Sequence, residues 1–247
     1  MDISAIILAG GQGKRMHSQL PKVLHKLAGR PLIEYPIRLL RALEGEPIVV
    51  VVSYKAELVK KTVEKLNKAI LFAYQPKPLG TGDAVRHALP LVKKSTTVMV
   101  LNGDDSAFYR PETLKRILDH HTRSGADMTF VTLEVDDPMG MGRIIRDTQG
   151  TFRSIVEDKI ATDEQRKIKE INDGCYVFKT RWLVQNITKI PKSPVGEYYL
   201  TSLVEIGIYS GAKIQTYKLP DNNEWFGIDT RERLKEAEER FKKISNF

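Results

Sequence analysis

Short, β-branched apolar runs recur along the first half of the chain with an amphipathic segment between each pair, and this alternation restricts the possible folds most. Ile3 to Leu8, Ile48 to Val52, Ala69 to Tyr74 and Thr97 to Leu101 read as strands. Between them, Ile33, Ile37 and Leu40, then Leu58, Val59, Thr62 and Leu66, then Ala84, Val85, Ala88 and Leu91 recur at helical spacing, which gives each segment one apolar face. The unbroken apolar stretch from Val49 to Val52 implies a strand covered on both sides. Strand, crossover helix and parallel strand in repetition predict an α/β fold: a Rossmann-like, mostly parallel mixed sheet flanked by helices. Pro36 lies inside the first helix and implies a kink or a shorter first turn.

After about residue 125 the pattern changes. Met128 to Val135, Arg143 to Arg146, Ser154 to Glu157 and Cys175 to Phe178 are strand-like without a helix after each, which predicts a β-rich lobe. Helices are expected again at Gly196 to Tyr209 and at Thr230 to Lys242. With 247 residues and 41% hydrophobic content, the expectation is one domain, 1–247, made of halves at about 1–125 and 126–247.

Several function classes are disfavoured by composition. Cys175 is the only cysteine, which rules out an internal disulfide and reads as a small buried hydrophobe. No run approaches the roughly 20 apolar residues of a membrane span and the start lacks the signal-peptide pattern, so a cytoplasmic protein with no membrane partner is expected. The net charge is +8, but the 39 basic residues are scattered among acids, without the aromatic interleaving of a nucleic-acid site. Small anionic ligands suit such a surface better. His120 and His121 are expected to be solvated or helix-terminal, and Trp182 and Trp225 to serve packing. Oligomeric state has no signal in the sequence.

The stretch "LAGGQGKRMHSQLPKVLHK" follows the first strand directly, and a strand emptying into glycines aims several backbone N–H groups at one point, which suits an anion. A Walker loop would need glycine at Leu8 and Ser or Thr at Arg15; the dinucleotide fingerprint would need Gly or Ala at Met16. Neither pattern fits. What stands is G-G-x-G-x-R-M followed by L-P-K, carried by Gly10, Gly11, Gly13, Arg15, Pro21 and Lys22. In this the chain resembles the sugar-1-phosphate nucleotidylyltransferases. Arg15 and the backbone amides can take a triphosphate, and Lys22 can neutralise charge growing at phosphorus.

The resemblance runs along nearly the whole chain. "QPKPLGTGDAV" is similar to the base-reading loop of the uridylyltransferases that make UDP-N-acetylglucosamine, and it implies nucleotide binding by Gln75, Gly80 and Thr81, together with Leu8, Ala9, Gly10, Gly11, Gly13, Asn102 and Gly103. "VMVLNGDDSAF" sets Asp104 just past a strand, where a carboxylate can serve Mg²⁺. Asp105 would point to the other side if the strand continued. The family usually has proline where Ser106 stands. "WFGIDTRERL" matches the family's terminal motif and implies Asp229 as the second Mg²⁺ ligand, although aspartate before Thr230 also reads as a helix N-cap. "GMGRIIRD", "SIVEDKIATDEQ", "EINDG" and "VGEYYLTSLVEI" resemble the sugar side of the same enzymes and imply sugar contacts by Gly142, Glu157 and Asn172. Asp173 stands where relatives usually carry threonine.

The resemblance implies a catalytic set of Arg15, Lys22 and Asp104, metal ligands Asp104 and Asp229, and UTP with a hexosamine 1-phosphate as partners. The first half would bind nucleotide and the β-rich lobe sugar. Related readings are a nucleotidylyltransferase for glucose 1-phosphate, dTTP or CTP, and a nucleotide-sugar-binding protein without turnover. Hexapeptide repeats of the acetyltransferase β-helix found in bifunctional relatives are absent from the sequence, so no acetyltransferase activity is expected.

Overall fold

The computed structural model describes residues 2–245; Met1, Asn246 and Phe247, at the ends of the expected 1–247 domain, lie outside them. In chain order the strands are β1 (Ile3–Leu8), β2 (Lys26–Leu27), β3 (Arg30–Pro31), β4 (Ile48–Val52), β5 (Leu71–Tyr74), β6 (Thr97–Asn102), β7 (Met128–Glu134), β8 (Gly142–Arg146), β9 (Phe152–Val156), β10 (Glu170–Lys179) and β11 (Ile214–Lys218). The α-helices are α1 (Glu34–Ala42), α2 (Ala56–Leu66), α3 (Thr81–Val92), α4 (Pro111–Ser124), α5 (Asp163–Arg166), α6 (Thr180–Asn186), α7 (Ser202–Tyr209) and α8 (Arg231–Ser245).

The main sheet runs β11-β7-β10-β6-β1-β4-β5, with β8 and β9 as a side ribbon joined through β10. β6, β1, β4 and β5 are parallel, the part read as βαβ units. β10 is antiparallel to both β6 and β7, so the second half is mixed, as its missing helices implied. All five residues of β4 are buried, because helices cover both sheet faces. Separate apolar clusters fill those two faces, one around Ile7, Val50 and Leu101, the other around Ile6, Val49 and Val100. Cys175 is buried, as expected.

Two local expectations resolve differently from one another. Pro36 occupies the third position of α1, where no backbone N–H is needed for an internal bond, so the helix simply starts late enough to accept it. The helix expected from Gly196 begins only at Ser202. Gly196 (φ +87°) closes a turn with Ser193, and the backbone of Tyr198 bonds across to Leu79 and Gly82, leaving those residues no helical partners.

His121 lies in the last turn of α4, so it is helix-terminal, as one of its two readings had it, but not solvated. It is 3% exposed, on the face of α4 that packs against the sheet, with Nδ1 2.9 Å from Thr129 Oγ1. No helix among the described residues is long and apolar enough to cross a membrane.

Candidate active site

Parallel register sets the site at the carboxyl ends of β1 and β6, where Leu8 and Asn102 are neighbours. β10 runs the other way and brings its first residues to the same edge. An open cleft of about 650 Å³ lies there, with Leu8, Lys22, Asn102, Glu157, Asn172 and Asp229 among its walls.

The glycine turn works by close approach. Gly13 has φ +68°, and a Cβ on it would lie 2.7 Å from Lys22 Cβ, so glycine is what lets the lysine stem cross the turn. Lys22 then forms an ion pair with Asp104, two residues past the end of β6, both side chains being mostly buried. Arg15 pairs with Asp229 at 2.6 Å. The cleft thus holds two cations and two carboxylates in matched pairs. Gly103 bonds Leu8 O at 3.0 Å, Ala9 bonds Val51 O at 2.9 Å, and Gly10 sits against Ser53 and Gln75, while the position of a side chain on Gly11 is open space.

Asp229 reaches Arg15 because α8 docks on the chain's beginning. Phe226, Ile228 and Ala237 share an apolar cluster with Leu27, Leu32 and Phe108. Arg231 donates to Met16 O at 2.8 Å and His17 O at 2.7 Å. Thr230 takes the capping role, its Oγ1 accepting from Arg233 N at 3.1 Å, so the N-cap reading of Asp229 is corrected. Asp229 Oδ1 is buried without a hydrogen-bond partner.

The loop after β5 is zipped to a distant segment. Tyr198 N donates to Leu79 O at 2.7 Å, Gly82 N to Tyr198 O at 2.8 Å, and Leu200 N to Thr81 Oγ1 at 2.9 Å. Gln75, 4% exposed, stands behind this loop, with its amide donating to Gly80 O at 3.1 Å and Asp83 Oδ2 at 2.9 Å. Gly80 and Thr81 face the cleft, while Gln75 holds them in place.

At the other end, Glu157 accepts from Thr201 Oγ1 at 2.6 Å. Burial pushes its carboxyl up, against the opposing effect of the Thr201 bond. Gly142 leaves room beside it, since a Cβ there would lie 3.6 Å from Glu157 Oε2 and 3.1 Å from Ile155. Asn172 donates to the Tyr176 hydroxyl, and its Oδ1 is buried with no donor. An acceptor so placed is available to a ligand hydroxyl or amide.

Behind these residues lies a cluster the sequence motifs did not disclose. Strand β6 ends at Asn102, so the alternation that would turn Asp105 away does not apply, and Asp105 lines the cleft and accepts from Asn102 Nδ2 at 2.8 Å. Burial first, and then the charge of Asp104, raise its carboxyl well above the usual range. Asp173 is 3% exposed and accepts from the Tyr109 hydroxyl and from Cys175 N. Gly174 (φ +94°) makes the bulge in β10, where a Cβ would meet the Asn102 amide at 2.1 Å. The paired departures at Ser106 and Asp173 were the available signal. Trp225 is buried as a packing residue, yet it also borders the cleft.

A pH dependence follows. Burial pushes Asp173 up to about 7, only partly offset by its two hydrogen bonds. The folded chain therefore keeps a proton that an unfolded aspartic acid loses near pH 4, roughly. Stability from this group is full below that unfolded value and is lost as pH rises through about 7. Asp173→Asn is expected to flatten the loss between about pH 5 and about pH 8 in urea unfolding. An unchanged pH slope in the variant would remove Asp173 as its source.

The family model described as "Nucleotidyl transferase" matches residues 4–243. Bifunctional protein GlmU of Paraburkholderia phymatum is 43% identical over 237 residues, covering 96% of this chain and 51% of that protein. Bifunctional protein GlmU of Geobacillus thermodenitrificans is 40% identical over 235 residues, covering 95% and 50%. The chain spans about half the length of the curated relatives it matches. Among solved structures, a putative glucose-1-phosphate thymidylyltransferase from Bacillus anthracis, in complex with a sucrose, superposes with TM-score 0.78 at 18% identity, covering 96% of this chain and 94% of that one. That likeness concerns the fold, which is the mixed α/β sheet described above. With the glycine turn, the paired charges and a family match that spans nearly every residue, the chain belongs to the nucleotidyl transferase family.

Proposed function

We propose that this chain joins UTP and a hexosamine 1-phosphate, N-acetylglucosamine 1-phosphate first, to give the UDP-sugar and pyrophosphate. The observation that carries the reading is one cleft in which Lys22 and Arg15 face Glu157 and Asn172, with the Gly80–Thr81 loop beside them. Cations at one end suit phosphates; a carboxylate and an unpaired amide oxygen at the other suit a polyol bearing an acetamido group. In this reading residues 1–125 hold the nucleotide and residues 126–247 the sugar. With a nucleoside triphosphate as substrate, the cytoplasm is the compartment we assign.

The reaction asks little covalent chemistry of the protein. A phosphate oxygen of the sugar 1-phosphate attacks the α-phosphorus, a new P–O bond forms, and the bond to the β-phosphate breaks to release pyrophosphate. The attacking phosphate is already ionised at neutral pH, so no general base is required. Lys22 and Arg15 offset the charge that grows on the phosphoryl oxygens, and the Gly80–Thr81 loop and Glu157 hold the two substrates in line.

The donor set fits a hard divalent cation such as Mg²⁺. Asp229 Oδ1 is buried with no hydrogen-bond partner, Arg233 Nε lying 4.0 Å from it, and among the described residues no third acidic, histidine or cysteine ligand joins the two aspartates. An ion that keeps phosphate oxygens and water in its shell needs no more than that pair from the protein. Asp104 and Asp229 would hold it, and bound there it would supply positive charge to the reacting phosphate.

The test is Mg²⁺-dependent pyrophosphate release from UTP with N-acetylglucosamine 1-phosphate, glucosamine 1-phosphate and glucose 1-phosphate offered separately. The first is expected to turn over fastest. Preference for glucose 1-phosphate, or for dTTP or CTP over UTP, would move the chain to a sibling specificity. UDP-sugar binding without pyrophosphate release under any pairing would end the catalytic reading.

A further inference from the structure

The end of the sheet remote from the cleft carries a second opening, an open cavity of about 790 Å³. It lies where β6 begins and β10 ends, at the register pair Thr97 and Lys179. The segment after α3, the last turn of α4 and the first turn of α6 enclose it. α3 runs from the cleft loop at Thr81 to this cavity, a span of about 18 Å at 1.5 Å per residue, so the two openings share no wall.

Three features of the lining point to a ligand. His121 and Thr180 are each 3% exposed and line the cavity, and His121 Nε2 and Thr180 Oγ1 are buried without any hydrogen-bond partner. Such atoms are costly when left unpaired. Lys93 and Arg181 also line the cavity, and neither has an ion-pair partner among the described residues. Lys179 is different, since its Nζ is spent on Gly125 O and Asp127 Oδ1 at 2.9 Å each.

The chemistry of these groups narrows the class. Burial, helped by the charge of Lys179, holds His121 down to about 4, so its ring is neutral at pH 7 and Nε2 is either one donor or one acceptor according to tautomer. A hydroxyl satisfies both cases, and it equally satisfies the Thr180 hydroxyl. Lys93 and Arg181 stand exposed at the rim, free of ion pairs among the described residues, and phosphate suits both.

We propose that the cavity bordered by Lys93, His121, Thr180 and Arg181 is a second ligand site, separate from the cleft, for a small polyol phosphate. Its volume falls in the range of small-molecule sites.

The test follows the assigned ring signal of His121 by NMR in the full chain at neutral pH, with glucose 6-phosphate, inorganic phosphate and glucose added in turn. Glucose 6-phosphate is expected to give a saturable shift below about 10 mM, with at least tenfold weaker binding for phosphate or glucose alone. Arg181→Glu, on the exposed rim, is expected to weaken it at least tenfold without altering the fold. Lys22→Ala, which strips the cleft, is expected to leave the titration unchanged. The proposal is overturned if none of the three probes moves His121, if Arg181→Glu binds as well as the parent, or if the shift disappears with Lys22.

Discussion

Lys22→Ala is expected to lower turnover on the order of 10²-fold or more, the scale of removing one preorganised charge from a reaction centre, while the thermal midpoint stays nearly unchanged. The lysine stem lies over Gly13 and its ammonium pairs with Asp104, so it belongs to the cleft and not to either apolar cluster. Loss of the ammonium leaves a carboxylate that still has some solvent contact, 15% of its side chain, which limits the cost to folding. Lys22→Arg keeps the charge but replaces a compact ammonium by a planar fork, and it is expected to recover little. Pyrophosphate release under saturating substrates, measured beside a melting curve, separates the two effects. A variant as fast as the parent would remove Lys22 from the chemistry, and a variant that melts early would make it a structural residue.

Gly80→Ala is expected to be the most damaging single methyl group in the first half of the chain. Gly80 has φ +101°, and a Cβ would lie 2.6 Å from Tyr198 O and 2.9 Å from Tyr198 N. Both are backbone atoms held by the loop's own hydrogen bonds, so neither can rotate aside. Backbone strain plus this clash is expected to cost about 3 kcal/mol, or a fall in melting midpoint on the order of 10 °C. The KM for UTP should rise as well, because the loop that faces the cleft must part from residues 198–200. Gly150→Ala is the comparison: its φ is +78° but its Cβ would meet nothing within 4 Å, whereas Gly80, with ψ 174°, lies in an extended positive-φ region open essentially to glycine alone, so the loss at Gly80 is expected to be clearly the larger. Equal losses in the two variants would show that neither this conformation nor the contact with Tyr198 adds to the cost.

Periodicity is a property of neighbours in sequence, and what depended on it was legible before any coordinates. The parallel strands, their crossover helices, the mixed second half and the buried β4 are of this kind. Arg15, Lys22 and Asp104 were singled out by the resemblance that their motifs carry, and the structure pairs Lys22 with Asp104 and Arg15 with Asp229. Sequence could not choose between a cap and a ligand for Asp229, because both readings use the same carboxylate; the structure removes the cap reading, since Thr230 takes that role. Nor could it show that residues 196–201 stay out of helix, since the backbone partners that hold them are at 79–82.

Burial of polar groups was the least legible property. Asp105, Asp173 and His121 look like surface residues in a linear chain, and each is enclosed by elements that come from elsewhere. By itself, then, the sequence determined the α/β layering, since that follows from residue type and local spacing. The tertiary structure alone decided which carboxylates are buried, which cation each one meets and where unpaired atoms remain. Those outcomes depend on desolvation and on distances between residues as far apart as 15 and 229, and a linear order of letters contains neither.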